Sequence, residues 1–318
     1  MATPMLEQTA LATQRQRRRS NTLRYLRQHW PLYVMLLPAL MLLALFNYYP
    51  MYGIVIAFQK YNPGLGFWES PWVGLRNFER LFASPSFGQI MRNTVIIAVS
   101  KILVLQASAI LLALMLNEVR SLLFKRVLQT VVYLPHFLSW VVLGGILADI
   151  LSKSGMINQA LAAAGGEPVV FLSSNTWFRP VVVMSHVWKE AGWSAIIYLA
   201  ALAGLDPQLY EAAAIDGANR WQQTLHVSLP GIRPVIIVLA VLGLGQVLNA
   251  GFEQIFVLYN PSVFQTGDIL DTYIYRQGLV SSQFSLAAAA GLIGSTISFA
   301  LIVVSLWAAR RWADYQVF

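Results

Sequence analysis

The stretch Glu211-Ala212-Ala213-Ala214-Ile215-Asp216-Gly217-Ala218-Asn219-Arg220-Trp221-Gln222-Gln223-Thr224-Leu225-His226-Val227-Ser228-Leu229-Pro230 decides the fold. It is a polar island between two long apolar runs, and it spells two short helices joined by a hinge. Asp206-Pro207 sets the start: an Asp side chain accepts from free N–H groups, and the fixed φ of proline suits the first helical position. Asp216-Gly217 predicts the break, with Asp216 capping the second helix. Leu229-Pro230 predicts the end of that helix, since proline has no N–H to give. A helical elbow on a membrane face is a shape that another protein can grip.

The surroundings make it a membrane face. Of 318 residues, 57% are hydrophobic and 11% are charged, against about 25% charged in a soluble domain. Six apolar runs reach the roughly 20 residues that a helix needs to cross the hydrocarbon core. They are Pro31–Gln59, Asn93–Leu116, Val127–Ala148, Pro180–Leu205, Pro234–Phe252 and Leu286–Ala309. They are continuous rather than alternating, which excludes a strand barrel. The expected fold is an all-α polytopic membrane protein with six transmembrane helices. Residues 1–29 form a polar, Arg-rich segment, and 30–318 one membrane domain. The first run is too long for a signal peptide and lacks a small-residue cleavage site.

Six spans put both termini on one side, and lysine and arginine decide which. One set of loops holds Arg15, Arg17, Arg18, Arg19, Arg24, Arg27, Arg120, Lys125, Arg126, Arg220, Arg233, Arg310 and Arg311, thirteen in all. The other holds Lys60, Arg76, Arg80, Arg92, Lys153, Arg179 and Arg276, seven on longer loops. The termini and the elbow are therefore expected in the cytoplasm. The net charge of +8 follows this sorting and does not mark a nucleic-acid binder, because no aromatic platform is interleaved with the N-terminal arginines. That cluster faces anionic lipid instead. The three outer loops, about 60–92, 152–179 and 253–285, are rich in aromatics, Pro and Gly. Short interfacial helices with headgroup anchors, or a docking surface for an external partner, both fit them.

Few residues carry chemistry. Lys189-Glu190 interrupts the fourth run, with His186 one turn earlier. Charges inside a span face a cavity or a partner. His186 and Glu190 share a helical face and are expected to pair, whereas Lys189 and Glu190 point about 100° apart and are not. Lys189 either lines a cavity or snorkels to the interface. His136 follows Pro135, which frees a carbonyl and can kink the third run. Lys101 is a lone charge in the second run. Gln246, Asn249 and Glu253 follow i, i+3, i+7 and are expected on one face of the fifth helix. Cysteine is absent, which removes disulfides and thiolates. No HExxH, GxSxG or P-loop occurs, so no metal site, no catalytic residue and no ATP site are expected on this chain.

Glu211-Ala212-Ala213, Asp216-Gly217-Ala218 and Leu229-Pro230 stand at the spacing of the EAA loop of ABC-importer permeases, which this chain resembles. The resemblance extends over about 30–318 to the carbohydrate-importer branch, and most to permeases for aldouronate- and alginate-type oligosaccharides. Tyr133-Leu134-Pro135-His136-Phe137-Leu138-Ser139-Trp140, Trp188-Lys189-Glu190-Ala191-Gly192-Trp193 and Asn249-Ala250-Gly251-Phe252-Glu253-Gln254 carry it, with Tyr210–Trp221. It implies a type I permease fold in a bacterial cytoplasmic (inner) membrane. It also implies a second, homologous permease subunit, two ATPase subunits that use ATP and Mg, and an extracytoplasmic solute-binding protein. By this likeness Tyr210, Glu211, Ala212, Ala213, Ile215, Asp216, Gly217 and Ala218 couple to the ATPase. The substrate path is expected to use His136, Trp140, Trp188, Lys189, Trp193, Asn249, Glu253, Tyr273 and Arg276, with Lys189 and Arg276 as cations for an acidic sugar. The alternatives are a permease of the same kind for a neutral sugar, an ion-coupled transporter or channel, and a glycan-modifying membrane enzyme. The last two leave the elbow unexplained.

A topology reporter placed near Asn219 or after Phe318 is expected to read cytoplasmic, and one near Trp72 or Gly166 external. An external signal at Asn219 contradicts the charge count and removes the elbow from reach of an ATPase.

Overall fold

The computed structural model describes residues 28–245 and 247–312. The arginine cluster at 15–27, Gln246 of the expected polar stripe and the residues after 312 lie outside the described residues. By its internal contacts the chain divides into Met1–Val55 and Ile56–Phe318. The helical segment α1 (Trp30–Phe58) holds nearly all described residues of the first unit, and its bounds lie within a residue of the expected run. A π turn at Ala44–Tyr48 precedes Pro50. Proline breaks the regular ladder there, and one wider turn absorbs the fault.

The second unit is helical. Among the described residues its one trace of strand is an isolated bridge between Gln59 and Trp72. After α2 (Arg76–Ala83), α3 (Pro85–Glu118) starts on a proline and runs 34 residues, about 51 Å. Then come α4 (Leu122–Tyr133), α5 (Trp140–Ile150), α6 (Met156–Ala163) and α7 (Phe178–Ala203). The elbow follows as α8 (Pro207–Ile215) and α9 (Arg220–Gly231), and α10 (Arg233–Leu244) leads away from it. Short helices α11 (Phe252–Leu258) and α12 (Leu270–Tyr275) precede α13 (Phe284–Trp312).

Among the described residues three helices are long and apolar enough to cross a membrane: Trp30–Phe58, Pro85–Glu118 and Phe284–Trp307. Two further pairs reach that measure only together, α4–α5 bent by 103° and α9–α10 bent by 56°. The 26 residues of α7 suffice in length, and its polar residues dilute the hydropathy.

Helix α7 lies alongside α3 over most of its length. Three core layers follow α3, and the second and third include α7. Near Pro85, Phe87 and Ile90 pack with Leu81, Leu270, Tyr273 and Ala290. In the middle Ile97 and Ala98 meet Phe178, Val182, Ile255 and Ile269. Toward Glu118, Ala109 and Ala113 meet Ala195, Tyr198, Leu202 and Ile232. Small residues let the two backbones approach, which replaces a hydrophobic drive that lipid cannot supply.

Two expected helices are broken. The run Val127–Ala148 turns at Leu134–Phe137, a 3-10 turn with Pro135 in it, and Ser139 caps the next helix by accepting from the Val142 N–H at 3.3 Å. The run Pro234–Phe252 stops at Leu244, and α11 begins after Gly251 at φ +88°. Asn249 and Glu253 therefore do not share a continuous helical face, which corrects the i, i+3, i+7 expectation. Leu229-Pro230 marks the end of α9 to within a residue, as expected: a π turn at Thr224–Ser228 leads into Leu229–Gly231, and the chain bends by 56° before α10.

The closest approach of the bundle is at Gly192, where a Cβ would stand 2.0 Å from the carbonyl oxygen of Val132. Gly192→Ala is expected to destabilise the protein by about 1–3 kcal/mol, read as a lower Tm of the detergent-purified chain. Gly145→Ala, where a Cβ meets nothing within 4 Å, is the control. Equal Tm values would remove this contact from the account.

Candidate functional site

The elbow is built by capping. Asp206 accepts from the Gln208 N–H at 2.9 Å, with Pro207 first in α8. Past Ile215 the chain closes with Ala218 N–H donating to Ala213 O (2.9 Å) and Gly217 N–H to Ala214 O (3.1 Å). That paired pattern needs a left-handed residue, and Gly217 supplies it at φ +81°. The second helix is capped by Asn219, not by Asp216. Asn219 accepts from Gln222 N–H at 2.9 Å, and the Gln222 side chain accepts from Asn219 N–H at 2.8 Å. Asn219 wins because it stands immediately before the first helical residue, the position a side-chain acceptor must occupy.

Two ties fix the elbow to the bundle, through Arg220 and Gly231, and a third, between Tyr210 and Ser228, closes its two helices on each other. Arg220 meets Glu118 at the end of α3 at 3.2 Å. Tyr210 hydroxyl and Ser228 hydroxyl are 2.9 Å apart. Gly231 packs against Leu205, which a Cβ would approach to 2.7 Å. Tyr210 is thus held partly inward. Glu211, Ala212, Asp216 and Gly217 are exposed, and Ala213 and Ala218 are half-buried. Ile215 is 86% exposed and Trp221 68%, so the elbow offers apolar side chains beside the carboxylates. Trp221 belongs to this surface and was not singled out from the sequence.

The second cluster forms where α4 and α5 part. The break releases the carbonyls of His136 and Leu138, and the Lys189 ammonium of α7 donates to both, at 2.9 Å for Leu138. Glu190 binds the His136 ring at 2.8 Å, and Lys189 at 3.6 Å. Both sequence pairings are corrected here. His186 does not pair with Glu190; its ring lies parallel to that of Trp140 at 6.4 Å. Lys189 and Glu190 do meet, because their long side chains bend toward the same turn. His136 stacks on Trp193 at 4.4 Å with the planes 1° apart. Trp188 and Trp193 each leave nearly half their surface open.

The second break repeats the device. Lys101 of α3 donates to Ala250 O at 2.6 Å. Gly251 leaves room for it, since a Cβ there would lie 2.9 Å from the Lys101 nitrogen. A cavity of about 290 Å³ is lined by Lys101, His186, Asn249 and Gly251. Gln254 is buried against α7, donating to Val182 O at 2.7 Å and to Ser185 at 2.9 Å. Asn249 and Glu253 are exposed.

Tyr273 and Arg276, expected to reach a substrate from outside, are committed within the chain. Tyr273 is 3% exposed. Arg276 holds buried Asp268 through two bonds, 3.0 and 2.6 Å. That bond to Asp268, more than any other influence, raises the Arg276 pKa further. Neither Lys189 nor Arg276 is a free cation. The carbonyls that hold Lys189 are more than 50 residues away, and the Asp268 carboxylate that holds Arg276 is eight residues back, so no short pattern announces either.

A membrane bundle with a capped helical elbow at one end and tethered helix breaks in its middle is the architecture of an ABC-importer permease. The chain belongs to the family described as "Binding-protein-dependent transport system inner membrane component", which matches residues 107–314. It is a transport subunit and not an enzyme. It is 41% identical over 310 residues to the polygalacturonan/rhamnogalacturonan transport system permease protein YteP of Bacillus subtilis (strain 168), covering 97% of this chain and 96% of that one. Its fold matches a chain of a bacterial ABC transporter involved in the import of the acidic polysaccharide alginate, with TM-score 0.86 and 39% identity over 92% of this chain and 99% of that one. A second structure, of a bacterial alginate ABC transporter in complex with an alginate pentasaccharide-bound periplasmic protein, matches with TM-score 0.85, 39% identity and the same coverage.

His136 and Glu190 are partly exposed, at 28% and 21%, and their coupling is expected near 1 kcal/mol. A double-mutant cycle of His136→Gln and Glu190→Gln on thermal stability measures it. Additive effects of the two substitutions would show that the pair does not cooperate.

Proposed function

We propose that this chain forms one half of the transport path of an importer for acidic oligosaccharides, with ATP hydrolysis on partner subunits. The observation that carries the substrate class is the 39% identity, over nearly the whole chain, to a transporter that imports an acidic polysaccharide; the name of the polygalacturonan relative agrees with it. Six spans are assigned as α1, α3, the bent pair α4–α5, α7, the run 234–252 that α10 opens, and α13. That order leaves both termini and the elbow on one side, which the charge count makes cytoplasmic. Residues 1–29 are the cytoplasmic lead-in, and 30–318 the permease domain with its coupling loop at 206–230.

The mechanism follows from which parts are rigid. Two ATPase subunits close on ATP and move the elbow, which they grip at Glu211, Ile215 and Trp221. The ties from Arg220 to Glu118 and from Gly231 to Leu205 pass that displacement to α3 and α7 together. Those helices carry both lysines that hold the breaks, so α4–α5 and the α10–α11 junction follow as one body. Rocking this body against the second permease swaps the open side. The sugar, delivered by a solute-binding protein, is offered the open faces of Trp188 and Trp193 for stacking. Asn249 and Glu253 offer polar contacts to hydroxyls. Trp140 and His136 support the aromatic wall, and Lys189 supports the backbone beneath it.

The test is uptake of trigalacturonate by proteoliposomes holding the complete complex. Uptake is expected only with internal ATP. Glu211→Lys reverses a charge at the docking surface. Gly217→Val strains a left-handed position by about 1–2 kcal/mol although the space is open. Both variants are expected to stay in the membrane, lose uptake and retain less ATPase on purification. Uptake by this chain alone, or full uptake by both variants, would overturn the reading in favour of an ion-coupled transporter.

A further inference from the structure

The two cations expected to greet an acidic sugar, Lys189 and Arg276, are already neutralised or bonded within the chain. A different pair is not. At the Pro85 end of α3 a polar cavity of about 500 Å³ opens between that helix, the start of α7 and the loop 264–267, and Arg92 and Arg179 both line it. Both guanidinium groups carry the same charge into one cavity. No carboxylate lies within ion-pair distance of either among the described residues. Asp268 stands near but is spent on Arg276 and Thr272.

The cavity is a built one. Asn93 is 1% exposed and donates to Gln265 O at 3.2 Å and Asp268 O at 3.1 Å. Its side-chain oxygen accepts from Arg179 at 2.6 Å, and Arg179 also donates to Thr266 O at 3.0 Å. Arg179 is therefore aimed, with part of its fork left over. Arg92 is exposed and makes no hydrogen bond among the described residues. Two like charges held together without a counter-ion leave a place for an anion.

Its position points inward along the path. Arg179, His186 and Glu190 are seven and eleven residues apart on α7, a spacing that returns to the same helical face. Arg179 stands about 16 Å from Glu190 along the axis, toward the outer end. A concave cavity of this size suits a small ligand more than a flat protein contact.

We propose that Arg92 and Arg179 form an outer carboxylate-binding subsite, which receives a uronate unit of the oligosaccharide before it reaches the aromatic wall. The proposal rests on the acidic-oligosaccharide reading above. The planar forks suit a carboxylate bidentately, which a lysine would not match.

The experiment is trigalacturonate uptake by the complete importer in phosphatidylcholine vesicles, with Arg92→Gln and Arg92→Lys beside the parent. Arg92 carries no internal bond, so both variants are expected to fold with the parent Tm. Arg92→Gln is expected to raise KM about tenfold, with Arg92→Lys between. The Kd of the solute-binding protein for the membrane complex should stay unchanged, and so should the KM values when phosphatidylglycerol is added. An unchanged KM in Arg92→Gln, in a parent that imports trigalacturonate, overturns the subsite alone. A parent that imports none overturns the acidic reading and the subsite with it. A rise in the binding-protein Kd matching that in KM would make the pair a protein-docking contact. An effect seen only with phosphatidylglycerol would make it a lipid-headgroup site. Either result overturns the proposal.

Discussion

A backbone carbonyl released in the middle of a membrane bundle has no water to turn to, and leaving it unpaired costs several kcal/mol. This chain releases such groups twice, at Leu134–Phe137 and between Leu244 and Phe252. Each time a lysine from a neighbouring long helix takes them. Lys189 serves His136 and Leu138, and Lys101 serves Ala250. An amine has the donors needed for this whether charged or neutral. The long, polar-studded α7 and the long α3 are the two elements on which the broken ones hang. They also end at the elbow, through Leu205 and Glu118. One pair of helices thus links the docking surface to the places where the bundle is irregular.

That linkage gives the breaks a reason. A straight span can only tilt, whereas a broken one can turn its inner face while its ends stay packed. The break in α4–α5 turns the chain by 103° and presents His136 to the face of Trp193 and the Glu190 carboxylate. The break before α11 places Asn249 at a cavity mouth. Both breaks carry polar and aromatic groups, and bonds to α3 and α7 keep them fixed.

Much of this was legible in local sequence. Asp206-Pro207 and the break at Gly217 follow from rules that act within a few residues, and the structure agrees with them. Pro135 marked the first break for the same reason. Partners chosen across the bundle were not legible. Glu190 had His186 at helical spacing, yet its bond goes to His136, 54 residues away. Arg276 was expected to meet an acidic sugar, and it holds the buried carboxylate of Asp268 eight residues back instead. The break before α11 was hidden because Gly251 sits in an apolar run, and nothing nearby shows that Lys101 stands ready to fill the gap.

Amide hydrogen exchange on the complete complex tests the central claim, that two lysines hold the two breaks. Lys189→Met is expected to speed exchange at residues 136–139 about tenfold or more while leaving 250–252 as in the parent. Lys101→Met is expected to do the converse, and the elbow amides at 213–222 should be unchanged in both. Parent-like exchange at both breaks in both variants would contradict the account, since the carbonyls would then be held by something other than these side chains.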